Sequence, residues 1–298
     1  MTSPVEVPAQ ATAQGKGQGR DVRKLALRVL TCVALAYAAW CATLYFAQDI
    51  VVFPGVGLPA LPQTAAQIPG LEELRRPIPG GGQAAAWYVP ASGASARQPA
   101  PLVVYCYGNY ETLDNQGRMI ELFRSLGCAV LITEYRGYGR DGGRPSQAGI
   151  REDTLGFLHD AKERPEVDAS RVFYYGRSLG GGVAADLASV ERCRAIVIES
   201  SFTSVTAMAW QYLFPPLLVK NPYRTDRILP GLGVPVLLFH GRSDSIIPVS
   251  RARRLHALTP GSELQEYDCG HYDPPSVSFP KDHRARLQAF LTRAGVLP

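Results

Sequence analysis

Apolar residues along this chain fall into two patterns. From Val29 to Phe46 the sequence VLTCVALAYAAWCATLYF runs 18 residues without a charge. As a helix it rises about 27 Å, close to the hydrocarbon thickness of a bilayer. A buried helix of a soluble protein normally keeps a polar face, and this stretch has none. Trp40, Tyr45 and Phe46 gather toward its far end, where aromatic side chains favour the membrane interface. Beyond it the pattern changes to short apolar runs at Leu102–Tyr107, Ala129–Tyr135, Val172–Tyr175, Ala195–Ile198 and Val234–Phe239. These runs do not alternate with polar residues, which is how strands buried on both faces read.

Helix-like segments separate them, at about Thr112–Leu126, Arg151–Lys162, Ser178–Val190 and Pro248–Leu258. A last strand at Leu264–Asp268 and a last helix at Lys281–Ala294 close the series. Such alternation predicts an α/β fold, a mostly parallel central sheet with helices on both faces. Ahead of it, Leu71–Ile78 and Gln83–Val89 flank a run of three glycines and predict a hairpin. One segment breaks the rhythm. About 35 residues separate Ile198 from Val234, and Met208, Trp210, Tyr212, Leu213, Phe214, Leu217 and Leu218 make them unusually apolar. This reads either as a small cap insertion over about 200–232, lining an acyl-sized pocket, or as a core helix followed by a loop.

Charge adds little to this outline. The formal net charge is +5, and residues 1–28 supply +3 of it, Lys16, Arg20, Arg23, Lys24 and Arg28 standing against Glu6 and Asp21. The remainder offers no basic footprint for nucleic acid. The expected organisation is therefore a flexible basic arm over 1–28, a transmembrane signal anchor over 29–46 and a catalytic domain over 47–298. The basic flank stays cytoplasmic, which makes a single-pass membrane protein with its domain on the non-cytoplasmic side. A leader cleaved after the small-residue site Ala36–Ala38 is the alternative. Six cysteines fall without a paired spacing, and no metal-ligand motif is present, so no metal is expected.

The candidate chemistry starts at YYGRSLGGG, Tyr174 to Gly182. Ser178 stands in Gly-x-Ser-x-Gly between a predicted strand and a predicted helix. A serine on so tight a turn needs small residues two places before and after it, and Gly176 and Gly180 supply them. Its hydroxyl is a poor nucleophile until a histidine takes the proton and an acid orients that histidine. The order Ser, acid, His is expected along a chain of this kind. His271, in YDCGHYD beyond the last strand, is the candidate base. His159, His256 and His283 lie in charge-rich helical segments and read as solvated, and His240 reads as structural. Asp244, in FHGRSDSIIP after a strand, is the candidate acid, with Glu199 as runner-up. The N–H groups of Leu179 and Asn109 are the expected oxyanion donors. Met208, Trp210 and Phe214 of the insertion, with Tyr110 beside Asn109, are the candidate substrate-binding residues. Gly137 to Gly142 matches GxGxxG but leads into a loop rather than a helix, so no nucleotide cofactor is expected.

At these residues the chain resembles the α/β-hydrolase superfamily. More narrowly it is similar to membrane-anchored serine hydrolases that include Bem-type proteins, bacterial single-pass members and protein depalmitoylases. The similarity runs from about Phe46 to the end through YGNYETL, EYRGYGRDGGRPSQAGIREDT, YYGRSLGGG, ESSFTS, FHGRSDSIIP and CGHYD. It implies the α/β-hydrolase fold, Ser178, Asp244 and His271 as the triad, and no cofactor. It also implies hydrolysis of esters or thioesters of a small-molecule or acylated substrate, with a peptidase on the same machinery suggested by likeness to serine aminopeptidases. A catalytically silent binding protein is the reading from another class. One departure stands out: the group usually has His-Gly-Asn where this chain has Tyr107-Gly108-Asn109.

Overall fold

The computed structural model describes residues 15–61, 63–79 and 81–298. The chain divides into two units, 1–47 and 48–298. The described part of the first unit is helix α1 (Gly15–Val52, 38 residues), which runs on into the first residues of the second. Of the arm expected over 1–28, residues 1–14 lie outside the described residues, and 15–28 are helical. Arg, Lys, Leu and Ala there are strong helix formers, so the helix extends N-terminally past the uncharged stretch. It stops at Val52, where Phe53-Pro54 restricts the backbone to extended conformations. The portion Val22–Val52, which holds an 18-residue stretch with a mean hydropathy of 1.8, is long and apolar enough to cross a membrane.

The second unit holds one eight-stranded sheet in the order β1-β2-β4-β3-β5-β6-β7-β8. The strands are β1 (Glu72–Pro77), β2 (Gln83–Val89), β3 (Ala100–Cys106), β4 (Ala129–Thr133), β5 (Val167–Arg177), β6 (Ala195–Glu199), β7 (Val236–Gly241) and β8 (Glu263–Tyr267). The predicted hairpin is present, β1 pairing antiparallel with β2, and β2 in turn antiparallel with β4. All pairs from β4 onward are parallel. Every residue of β3, β4, β6 and β7 is buried, which accounts for runs that never alternate with polar positions.

The helices are α2 (Gln63–Ala66), α3 (Gly117–Ser125), α4 (Gln147–Lys162), α5 (Leu179–Ala188), α6 (Val205–Ala209), α7 (Thr225–Ile228), α8 (Ser250–Leu258), α9 (Pro275–Ser278) and α10 (Pro280–Arg293). Ser146 caps α4 by accepting the Gly149 N–H at 3.0 Å, which starts that helix a turn earlier than the sequence suggests. Helix α5 is buried along its whole length. Its small residues allow this. A Cβ on Gly181 would sit 2.4 Å from Ser201 Oγ, and one on Gly182 would sit 3.0 Å from Phe202 and Tyr223.

The irregular segment between β6 and β7 is built of short helical pieces. It contains α6, three-residue 3₁₀ turns at Trp210–Tyr212 and Pro216–Leu218, and then α7. Pro215 and Pro216 prevent a longer helix there. Asn221 and Gln147 tie its far side to the start of α4, Gln147 N donating to Asn221 Oδ1 and Tyr223 N to Gln147 Oε1.

Candidate active site

The end of β5 turns into α5 at a single residue, Ser178, with φ 54° and ψ −120°. A non-glycine backbone in that region costs on the order of 1–3 kcal/mol and persists only where its surroundings enforce it. Here Ser178 N donates to Glu199 O at 2.9 Å, and Ser178 O accepts from Ser201 Oγ at 2.7 Å. The two flanking glycines are obligatory. A Cβ on Gly176 would lie 2.1 Å from the Gly180 carbonyl oxygen, and one on Gly180 would lie 1.9 Å from the Cys106 carbonyl oxygen. The second of these approaches also brings the loop after β3 against the turn.

The loops after β7 and β8 supply the other two groups. Arg242 N donates to Tyr267 O and Ser243 N to Cys269 O, so the second Gly-Arg-Ser zips one loop onto the other. A Cβ on Gly241 would meet the Cys269 carbonyl oxygen at 2.3 Å. As a result His271 Nδ1 stands 2.8 Å from Asp244 Oδ2, and His271 Nε2 stands 3.1 Å from Ser178 Oγ. The other Asp244 oxygen accepts from the N–H groups of Ile246 at 3.0 Å and Ile247 at 2.7 Å. Burial works against its charge, but hydrogen bonds from His240, His271 and the Ile247 N–H hold its carboxyl well below the usual carboxylate range. An ionised Asp244 fixes the His271 proton on Nδ1, which leaves Nε2 to accept from the serine hydroxyl.

Leu179 is the first residue of α5, so its N–H has no intrahelical acceptor. Asn109 lies in the loop after β3. Its carbonyl accepts from Gly55 N at 3.2 Å and from Tyr138 Oη at 2.8 Å, and its side chain donates to Val52 O at 3.3 Å. Tyr107 takes over the bracing of this loop. Its hydroxyl donates to Glu134 Oε1 at 2.6 Å and accepts from Tyr135 N at 3.1 Å. Its ring stacks on Tyr135 with centroids 4.4 Å apart, and the Tyr135 hydroxyl donates back to Tyr107 O. Buried Glu134 also accepts from Leu113 N, tying the turn that follows.

A further brace escapes the sequence reading. Arg177, the residue before Ser178, pairs with Glu111, and Glu111 accepts the Gly108 N–H at 3.1 Å. The Ser178 turn and the Asn109 loop are thus linked through one ion pair. A basic residue beside the serine and an acid three places after Gly108 were the available signals.

Other candidates fall elsewhere. Glu199 accepts from Tyr175 Oη at 2.9 Å and Ser276 N at 2.8 Å, so it holds the floor beneath the site rather than orienting His271. His283 is fully buried, not solvated: its Nε2 meets Tyr175 Oη at 2.9 Å, and burial lowers its basicity. Its place on the inner face of α10 sets that burial, despite the charges on either side. His159 and His256 are exposed as expected, and His240 is buried with Nε2 2.7 Å from Ile247 O. Phe214 is buried and Met208 packs against the core, whereas Trp210 and Tyr110 are exposed. Burial pushes the thiols of Cys106, Cys128 and Cys193 up to about 12, so they stay protonated.

The GxGxxG segment is a loop closed on itself by Gly137 N to Gly142 O, with Gly139 at φ 44° packed against Glu134. Asp141 within it has one buried oxygen with no hydrogen-bond partner and the other 3.4 Å from Ala85 N. Burial raises its pKa to about 7. A folded value above the unfolded one means stability is lost as pH rises from the ordinary carboxylate range through about 7. Asp141→Asn is therefore expected to raise Tm at pH 8 by about 2–4 °C and to leave it unchanged at pH 4, as read by thermal melts at both pH values.

A family model described as the alpha/beta hydrolase fold matches residues 101–231. An uncharacterized protein of Mycobacterium tuberculosis is 32% identical over 285 residues, which cover 91% of this chain and 97% of that one. The chain belongs to the α/β-hydrolase family. A lysophosphatidylserine lipase of Danio rerio is 28% identical to this hydrolase over 202 residues, 60% of the hydrolase and 51% of the relative. Among solved structures, an esterase of Pyrococcus furiosus superposes on the hydrolase with a TM-score of 0.58 at 20% identity, covering 75% of the hydrolase and 91% of the esterase. At that identity the likeness speaks for the fold.

Proposed function

We propose that this α/β-hydrolase is a membrane-anchored serine hydrolase that cleaves an ester or thioester of an acyl chain. The observation that carries the reading is the hydrogen-bonded line Ser178 Oγ–His271–Asp244, at 3.1 and 2.8 Å. His271 Nε2 takes the Ser178 proton as Oγ attacks the acyl carbon. The oxyanion that forms receives the N–H groups of Leu179 and Asn109. His271 then gives its proton to the departing alcohol or thiol, leaving an acyl group on Ser178. Water, deprotonated by the same imidazole, releases the acid and restores the serine hydroxyl. Met208 and Phe214 line the acyl side. The lipase among the similar proteins supports an ester substrate. The basic residues ahead of the apolar helix support a domain on the non-cytoplasmic side.

A panel of p-nitrophenyl esters of rising chain length, run beside aminoacyl p-nitroanilides, tests the substrate class. The expected result is a kcat/KM that rises from acetyl to medium-chain esters, with the amides slower by about 100-fold or more. Amides faster than every ester would assign the site to a peptidase.

A further inference from the structure

Twenty consecutive residues, 200–219, contain no Asp, Glu, Lys or Arg. In the structure this uncharged stretch is not hidden. Trp210 and Tyr212 are each 60% exposed, Leu213 is 64% exposed and Leu217 86%. Large apolar side chains concentrated in this way on a water-facing surface mark a contact with something apolar.

The hydrogen bonds of the same segment say what that is. Gln48 Nε2 donates to Leu218 O at 3.1 Å, and Lys220 N donates to Gln48 Oε1 at 2.8 Å. Asn221 Nδ2 donates to Asp49 Oδ1 at 3.2 Å, and Lys220 Nζ pairs with Asp49 Oδ2 at 3.3 Å. Gln48 and Asp49 are the first adjacent polar pair after the uncharged stretch of α1, immediately beyond Tyr45 and Phe46. In a helix that crosses a bilayer, such a pair follows the aromatic belt and lies at headgroup level. Leu218, Lys220 and Asn221 are bonded to it and share that level. Trp210, Tyr212, Leu213 and Leu217 precede them by a few residues and combine aromatic rings with aliphatic chains, the composition of an interfacial element.

The mouth of the site has the same character and the same attachment. Asn109 is hydrogen-bonded to Val52 O at the end of α1 and to Gly55 N just past it. Tyr110 follows Asn109, Ile246 lies two residues after Asp244, and Tyr272 follows His271; all three are exposed. Three groups of the proposed reaction, Asn109, Asp244 and His271, thus have exposed apolar neighbours.

We infer that residues 210–217 form a membrane seat. Their side chains enter the interface of the bilayer that holds α1, and the mouth of the site faces lipid, so that an acyl ester reaches Ser178 from the bilayer and not from water. This rests on the proposed membrane anchoring and serine hydrolase activity, and the test separates their failures.

The chain has three tryptophans, Trp40 in α1, Trp87 fully buried in β2, and Trp210. Full-length protein, one copy per nanodisc, is placed in phosphatidylcholine with brominated acyl chains, which quench tryptophan at contact range. The Trp40→Phe protein is expected to be quenched, and the Trp40→Phe/Trp210→Phe protein to keep its Trp87 emission unquenched. Quenching of the Trp210→Phe protein through Trp40, with none in Trp40→Phe, would overturn the seat while leaving the anchor standing; a second copy or another protein would then cover the face. No quenching in either would remove the anchor and the seat together. As a second measure, Leu217→Asp is expected to slow hydrolysis of a long-chain ester embedded in the disc by about tenfold, because it removes interfacial apolar area. Hydrolysis of p-nitrophenyl acetate by the same protein stays unchanged. Equal loss on both esters, or no loss on either, would contradict the seat. Failure of the wild-type protein on both would count against the hydrolase reading instead.

Discussion

Ser178→Ala is expected to lower ester hydrolysis by about 10⁴-fold or more while leaving the fold and thermal midpoint close to wild type. The substitution removes one oxygen and nothing else. That oxygen is hydrogen-bonded to His271 alone among the described residues, so no buried partner in the core is orphaned. Alanine keeps the Cβ, and so the same backbone strain at φ 54° and the same tight passage between Gly176 and Gly180. Binding should survive, so KM should move far less than kcat. Equal losses of activity and of Tm would instead mean that Ser178 serves the turn and not the chemistry. Circular dichroism melts alongside p-nitrophenyl ester kinetics separate the two.

Asp244→Asn is expected to cost a similar factor, about 10⁴ in kcat, by a different route. One carboxylate oxygen faces His271 Nδ1, and the other accepts two backbone N–H groups, from Ile246 and Ile247. An amide must turn its oxygen toward those two donors, which points its NH₂ at His271. The imidazole then accepts at Nδ1 and carries its proton on Nε2, where it can no longer take one from Ser178. The charge also bears on stability. Because the folded carboxyl titrates well below its unfolded value of about 3.9, its contribution is fully present above that unfolded value and is lost progressively as pH falls from there through the folded value. The variant should therefore melt lower than wild type at pH 7, with the gap closing in strong acid. Kinetics and melts from pH 3 to pH 7.5 check both effects, and a gap that does not narrow toward pH 3 would contradict the assignment.

The parallel sheet was legible because β3, β4, β6 and β7 are buried on both faces and so appear as unbroken apolar runs. The glycines around Ser178 were legible for a sharper reason, since each position forbids a Cβ by contact with backbone. The loop placements of Ser178, Asp244 and His271 could be read because such loops all follow the C-terminal ends of strands. What stayed hidden depends on the third dimension. The burial of His283 follows from which side of α10 meets the sheet, and its charged sequence neighbours pointed the other way. The Arg177–Glu111 pair joins residues 66 positions apart, and nothing local to either predicts it. The replacement of the usual histidine by Tyr107 gave no hint that Glu134 and Tyr135 would hold the same loop. The apolar insertion was visible as composition, but only coordinates divide it into buried Phe214 and outward-facing Trp210 and Leu217.

The most direct measurement of the central claim is covalent. The full-length protein is treated with an alkyl fluorophosphonate, digested and read by peptide mass spectrometry. One phosphonylated residue is expected, Ser178, with labelling abolished in Ser178→Ala and slowed severely in His271→Ala. Unreacted Ser178 in folded wild-type protein, or equal labelling of the Ser178→Ala protein, would contradict the claim.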